Sequence, residues 1–338
     1  MADCRSTDDG PGVICIGEAL VDLLAPVGVA LKDAREFTLA PGGAPANVAV
    51  GLTRLGVRAS FAGKVGDDPF GSLLHDTLQR AGVDISHLRV TSDARTTLAW
   101  VARPTADTPE FLFYRNPGAD ALLRADELDP AYLLGASIVH FGSLSLSAEP
   151  ARSATLAAIG TAREAGRLVS YDPNWRPDVW SSASEGHAWM LEGLARADLV
   201  KVNEAELTLL TGSPDPPEGA GELLDRGAKL VVVTGGGSGA YFANSRAHGF
   251  VPAFEVSVID TTGCGDAFTA ALLVQVLDAP QPLEHVDDTY LRAALRFANA
   301  AAALTATRQG VIPALPDRAQ VEVLCRGEID VRDPLDSR

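Results

Sequence analysis

The stretch Asp260-Thr261-Thr262-Gly263-Cys264-Gly265-Asp266, running into Ala267-Phe268-Thr269-Ala270-Ala271-Leu272-Leu273, decides how this chain is read. The second half is apolar, free of Gly and Pro, and reads as a helix. The preceding Val256-Ser257-Val258-Ile259 reads as a strand. Gly263-Cys264-Gly265 therefore stands at a helix N-terminus, where free amides and the helix dipole favour an anion. The two glycines let a phosphate come close to the backbone. Asp266 is out of place there unless it has a task. One such task is to take the proton of an attacking hydroxyl; the plainer alternative is a helix cap. No Gly-Lys-Ser/Thr follows, so this is not a Walker A loop. The spacing is not that of a dinucleotide fingerprint either.

Upstream, apolar runs alternate with helical patterns. Val13-Ile14-Cys15-Ile16-Gly17, Ser60 to Gly66, Ser137 to Gly142, Leu168 to Asp172, Leu199 to Asn203 and Leu230 to Gly235 read as strands. Helices are expected over about 46–55, 69–80, 150–165, 184–196 and 204–210. The strands are apolar throughout rather than alternating, which suits a parallel sheet covered on both faces. Residues about 18–42 and 95–116 carry strand-like pieces without matching helices, and read as a small β-appendage. The carboxyl ends of the strands, where α/β sheets bind ligands, carry Gly142-Ser143, Asp172-Pro173-Asn174, Asn203-Glu204 and Thr234-Gly235-Gly236-Gly237. A second cluster, Gly42-Gly43-Ala44-Pro45-Ala46-Asn47, offers amides and an Asn side chain to hydroxyl groups, and Asp22 stands just past the first strand.

The 338 residues are 46% hydrophobic, enough for a large α/β domain with an appendage. The net charge of −16, from 28 basic and 44 acidic residues, disfavours nucleic acid and anionic membrane as partners. Cys4, Cys15, Cys264 and Cys325 show no CxxC spacing, so neither a disulfide framework nor a zinc site is expected, and a cytoplasmic setting fits. No signal peptide or membrane span is legible.

Taken together, these motifs resemble the PfkB (ribokinase-like) family of carbohydrate kinases, from about Val13 to Pro316. The resemblance rests on Gly42-Gly43 through Asn47, Leu52, Leu55 and Gly56, and on Asp260 to Phe268. It implies a three-layer α/β sandwich with a mostly parallel central sheet and a small β-sheet lid. The single kinase domain then spans 12–325, with lid segments about 18–42 and 95–116 and flexible termini at 1–11 and 326–338. It implies ATP-dependent phosphorylation of a primary hydroxyl, with Asp266 as base and Gly263, Cys264 and Gly265 as anion hole. Asp22, Gly42, Gly43 and Asn47 match sugar contacts. Asn203, Thr234, Gly235, Gly237, Gly239 and Asn299 match the ATP site, and Glu206 of the Asn-x-x-Glu element helps hold Mg²⁺ through water. Asp260, Thr262, Thr305 and Gly310 fall at positions of a K⁺ site, although Ala314 stands where some members have Ser. A homodimer through the lid follows from the same resemblance.

The segment Phe113 to Asp120, with Tyr114 and Arg115, is similar to the lid of fructokinases, as is Tyr171 to Arg176. D-fructose is therefore the expected sugar, giving fructose 6-phosphate. The 2-keto-3-deoxygluconate kinases share a Tyr-Arg pair, and Arg115 and Arg176 equally suit a carboxylate. Ribokinase and a catalytically silent sugar sensor stand as further alternatives.

Overall fold

The computed structural model describes residues 12–105 and 108–328; the expected flexible segment 1–11, Cys4 and residues 329–338 lie outside the described residues. The strands are β1 (Val13–Ile16), β2 (Leu20–Leu24), β3 (Thr38–Gly42), β4 (Ala59–Gly66), β5 (Asp84–Thr91), β6 (Leu98–Thr105), β7 (Thr108–Tyr114), β8 (Ile138–Gly142), β9 (Leu168–Asp172), β10 (Leu199–Asn203), β11 (Leu230–Thr234), β12 (Gly239–Asn244) and β13 (His248–Pro252). The helices are α1 (Ala44–Arg54), α2 (Pro69–Arg80), α3 (Pro130–Leu134), α4 (Ala151–Glu164), α5 (Ala183–Leu194), α6 (Glu204–Thr211), α7 (Pro216–Asp225), α8 (Cys264–Leu277), α9 (Asp288–Ala306) and α10 (Arg318–Arg326).

Nine strands form the central sheet in the order β13-β12-β11-β10-β9-β8-β1-β4-β5. From β11 to β5 every neighbouring pair is parallel. The uniform apolarity read from the sequence has its cause here. In β1, Val13 and Cys15 enter the core on one face and Ile14 and Ile16 the core on the other. The first face is covered by α1, α2, α8, α9 and α10, the second by α3 to α7. Right-handed crossovers require this split: the chain steps from β1 to β4 and β5 in one direction, then from β8 to β11 in the other. Strand order reverses at β1, and the crevice beyond the strand ends there is where such sheets bind ligands.

The architecture is the expected three-layer α/β one, with differences in detail. Val256–Ile259 is not a strand. After β13 the chain leaves the sheet and docks on the end of α9, where Ile259 and Asp260 N–H both donate to Ala306 O. Val258 and Ile259 are consequently 62% and 51% exposed. The edge hairpin β12–β13 is antiparallel, β2 falls in the expected appendage segment 18–42, and β5 occupies a segment whose apolar pattern is too mixed to read.

A second sheet, in the order β3-β2-β6-β7, stands apart from the first. Asp68 fastens its root. The carboxylate caps α2 by accepting from Phe70 and Gly71 N–H at 3.0 and 2.9 Å. It also accepts from Thr96 N–H and Thr96 Oγ1, just before β6, at 2.8 and 2.9 Å. Asp68→Ala removes a helix cap and a strand anchor together. It should cost about 1–2 kcal/mol of stability, read as a lower Tm and lower denaturation midpoint. An unchanged midpoint would show that the root is held elsewhere.

Candidate active site

The loop Asp260 to Asp266 ends at the first turn of α8. Gly263, the N-cap, has φ +78°, and a side chain there would collide with Val311. A residue other than glycine is therefore strained twice over. No side chain caps this terminus, so its dipole end is left for a ligand. The N-cap of α1, Gly43, is also a glycine, at φ +105° with the Glu18 backbone too close to admit a Cβ, and Glu18 Oε1 accepts from Ala44 N–H at 3.1 Å. The two helix starts converge: Asn47 Nδ2 donates to Asp266 Oδ2 at 2.8 Å across 219 residues of sequence.

Two cavities meet here. One, of about 240 Å³, is lined by Glu18, Asp22, Asn47, Asn174, Arg176 and Asp266, with Leu20, Ala99, Val101, Phe111 and Phe113 contributed by the small sheet. The other, of about 280 Å³, is mostly apolar, walled by Phe254, Val256, Val258, Phe268, Ala302, Ala303 and Ala306. Thr234, Gly237, Gly239, Cys264 and Asn299 line it as well. Thr261 and Gly265 line both, so the loop is their common wall.

Electrostatics distinguish the first cavity. The surrounding protein strips water from Asp266 and lifts its carboxyl to about 6; the Asn47 hydrogen bond works against this, Asp172 adds to it, and Lys201 and Arg176 relieve it. Burial raises Asp22 to about 7, opposed by Arg176 and reinforced by Asp266. Burial likewise raises Glu18 to about 7. Below the loop, Lys201 and Asp172 form a buried pair at 2.9 Å, and Thr269 of α8 donates to the same Asp172 oxygen at 3.2 Å. Two acceptors in the wall, Glu18 Oε2 and Asn47 Oδ1, are buried with no hydrogen-bond partner. Such groups are costly unless a ligand donor reaches them.

Of the residues singled out in the sequence, Asp22, Gly43, Asn47, Arg176, Gly263, Gly265 and Asp266 line the first cavity, and Gly42 packs directly against the Asp22 carboxylate. Tyr114 and Arg115 do not reach it. Strand alternation in β7 turns Phe111 and Phe113 towards the cavity and leaves Tyr114 outside, 60% exposed. Arg115 is consumed by structure: Nε meets Asp120 Oδ2 and Nη1 donates to Ser147 Oγ, both at 2.7 Å, with only 6% of the side chain exposed. Asn203 and Glu206 stand outside both cavities and cap α6 reciprocally. Glu206 also accepts from Trp175 N–H at 2.8 Å, so both its oxygens are engaged. Asn299 spends its Nδ2 on Val251 and Pro252 carbonyls. Gly235 adjoins the second cavity without lining it. Asp260, Thr262 and Gly310 cluster, whereas the Thr305 hydroxyl donates within its own helix to Ala301 O. Asn174 and Phe113, which belong to the Asp172-Pro173-Asn174 strand end and the Phe113 to Asp120 segment read in the sequence, also line the first cavity. Glu18, Arg103, Phe111 and Lys201 carry no motif that sequence spacing exposes; only the position of Glu18 after the end of β1 is a signal.

A family model described as pfkB family carbohydrate kinase matches residues 11–318. A probable fructokinase of Arabidopsis thaliana (fructokinase-4) is 45% identical over 317 residues, 93% of this chain and 97% of that protein. Among solved structures, a fructokinase from Xylella fastidiosa with bound ATP superposes with a TM-score of 0.85 at 35% identity, covering 94% of this chain and 98% of that one. A double-mutant fructokinase from Vibrio cholerae O395, with fructose, ADP and a potassium ion bound, gives 0.83 at 35% identity, covering 94% and 99%. With the convergent helix starts and the paired cavities, the match across nearly the whole chain means that this protein belongs to the pfkB family of carbohydrate kinases.

Proposed function

We propose that the chain transfers the γ-phosphoryl group of ATP to the primary hydroxyl of D-fructose, giving fructose 6-phosphate and ADP. The observation that carries this reading is the shared wall. A polar cavity with a carboxylate and an apolar cavity of nucleotide-base character meet at one uncapped helix N-terminus. The sugar sits in the first cavity, where Glu18 Oε2 and Asn47 Oδ1 accept from its hydroxyls and Asp22 accepts beside them. The base of ATP sits among Phe254, Phe268 and the alanines of α9. Asp266 takes the hydroxyl proton as the sugar oxygen bonds to Pγ and the bond from Pγ to the bridging oxygen breaks, releasing ADP. The amides at Gly263 to Gly265 receive the charge of the transferring group. Asn203 and Glu206, which the family resemblance assigns to Mg²⁺, stand outside both cavities with both Glu206 oxygens accepting backbone N–H groups, so they would hold the ion only through water, which suits an ion that keeps several waters. Bound there, Mg²⁺ would supply neutralisation of the phosphate charge.

A keto-acid sugar is disfavoured. Glu18, Asp22 and Asp266 surround the cavity with acidic groups, and Arg115, one of the two arginines suited to a carboxylate, is bound to Asp120. Arg176 remains, but Asp22 and Asp266 feel its charge. The test is ADP release with fructose, ribose and 2-keto-3-deoxygluconate under identical MgATP. Fructose should lead. A preference for the keto-acid would overturn the reading, and silence on every sugar would favour a sensor.

Asp266→Asn should lower kcat by about 10²–10⁴-fold. In wild type, kcat/KM should fall as pH drops through about 6, where the carboxylate takes up its proton. Stability runs the other way. Asp266, Asp22 and Glu18 have folded pKa values above those of the unfolded chain. The stability they permit is complete below the unfolded values and is lost as pH rises through about 6 to 7. Free enzyme should therefore melt lower at pH 8 than at pH 5.5, and Asp266→Asn should melt above wild type at pH 8. A variant that kept its activity, or melted lower, would remove Asp266 from the base role.

We also propose that the outer face of the small sheet pairs with a second copy. Leu23, Leu39, Trp100 and Leu112 stand in register across its four strands. Leu39, Leu112 and Tyr114 are 41%, 49% and 60% exposed. An apolar band of this kind on a sheet facing outward suits isologous contact. Sedimentation should give a dimer for wild type and a monomer for Leu112→Asp; a monomeric wild type would rule the contact out.

A further inference from the structure

Arg103, carried by β6 of the small sheet, is used by none of the steps above, yet it reaches the loop that forms the anion hole. Its Nη1 meets Asp260 Oδ1 at 2.9 Å and its Nη2 donates to Thr262 Oγ1 at 2.6 Å. Thr262 in turn donates to Asp260 Oδ1 through both its hydroxyl and its N–H, at 2.6 and 2.9 Å. The other oxygen, Oδ2, accepts from Gly310 N–H at 3.1 Å. Every contact of the Asp260 carboxylate is therefore with a donor, and one of those donors carries a full positive charge. A K⁺ ion needs oxygens with lone pairs turned towards it. Here the carboxylate is engaged by N–H and O–H groups and neutralised by the guanidinium, while Thr305 turns its hydroxyl into its own helix. The group that the family resemblance assigns to this spot does not fit the residues found there.

We propose that Arg103 is a positioning residue for phosphoryl transfer, standing in for a monovalent cation: its fork clamps Asp260 and Thr262, neutralises the carboxylate from within the chain and fixes the loop whose far end is the anion hole. The fork geometry matters as well as the charge, because two parallel contacts hold the loop in orientation as a spherical ion does not. The clamp also spans two bodies. Arg103 lines the sugar cavity, and it borders a crevice between the small sheet and the loop that is walled by Leu24, Ala25, Val101, Ile259 and Gln309. Seating of the small sheet over the sugar and ordering of the anion hole are thereby one event, where a free ion would order the loop independently of the sheet.

The test compares wild type, Arg103→Ala and Arg103→Lys in KCl and in tetramethylammonium chloride at equal ionic strength. Wild-type Tm should be the same in both salts. Arg103→Ala should melt lower in tetramethylammonium and recover in K⁺, and Arg103→Lys, which keeps the charge, should remain indifferent to K⁺. In turnover with fructose and MgATP, Arg103→Ala should lose about 10- to 100-fold in kcat, with a far smaller change in the KM for fructose. Methylguanidinium or K⁺ should restore part of that loss. A wild type whose Tm rises in K⁺ relative to tetramethylammonium, or an Arg103→Ala variant with wild-type kcat, overturns the proposal. The kcat measurement rests on the sugar-kinase reading, but the melting measurement does not. A wild type that phosphorylated no sugar would sink that reading, and the salt response of the two variants would still decide the role of Arg103.

Discussion

The close approach of α1 and α8 is the constraint on which the rest of the site depends. Gly51 of α1 lies against Ala270 of α8 so tightly that a Cβ on Gly51 would meet the alanine methyl. That contact brings two helix N-termini together, that of α8 without a side-chain cap and that of α1 with Ala44 N–H donating to Glu18 Oε1, and lets Asn47 of one reach Asp266 of the other at 2.8 Å. The dipole-positive start of α8 therefore stands open towards the cavities in a chain whose net charge is −16.

The same arrangement concentrates strain of an electrostatic kind. Glu18, Asp22 and Asp266 surround one cavity, and burial raises all three. Folding alone would be served better by neutral groups there. The buried pair Lys201–Asp172 beneath the loop moderates this, because the lysine charge favours ionised Asp266 while Asp172 opposes it. Burial is the main cause that lifts Asp266 to about 6, with the Asn47 hydrogen bond the largest effect against it and Asp172, Lys201 and Arg176 adjusting the balance, so that it is ionised at neutral pH yet a stronger proton acceptor than a carboxylate at its usual value.

How much of this is legible in the sequence follows from the range of each interaction. The parallel βαβ rhythm is local, since each strand such as Leu230–Thr234 is apolar because both its faces are covered, and it reads directly. The glycine runs at Gly42-Gly43 and Gly263 to Gly265 also read directly, because a positive φ or a close approach leaves few other residues. Val256–Ile259 misleads, since its β-branched residues serve a segment tied to the end of α9 by two backbone hydrogen bonds rather than to a sheet. Glu18 gives only a faint signal, its place just after β1, because nothing in its neighbourhood in sequence tells that Ala44 N–H will take one of its oxygens and leave the other buried at the cavity without a partner.

Arg103 of β6 and Arg115, just after β7, show the same dependence on range. Arg115 sits in a segment that looks like a sugar-recognition element, and Arg103 in one with no motif at all. What separates them is the acid each meets. Asp120 is five residues from Arg115, so the pair forms wherever the turn after β7 forms, and it buries the guanidinium in the root of the sheet. Asp260 is 157 residues from Arg103, so that pair exists only when the small sheet is seated on the large one. A local ion pair holds a turn together, whereas a distant one reports on, and stabilises, the relation between two bodies. The arginine that matters for transfer is therefore the one whose partner is far away in sequence, and that distance is why spacing alone passes over it.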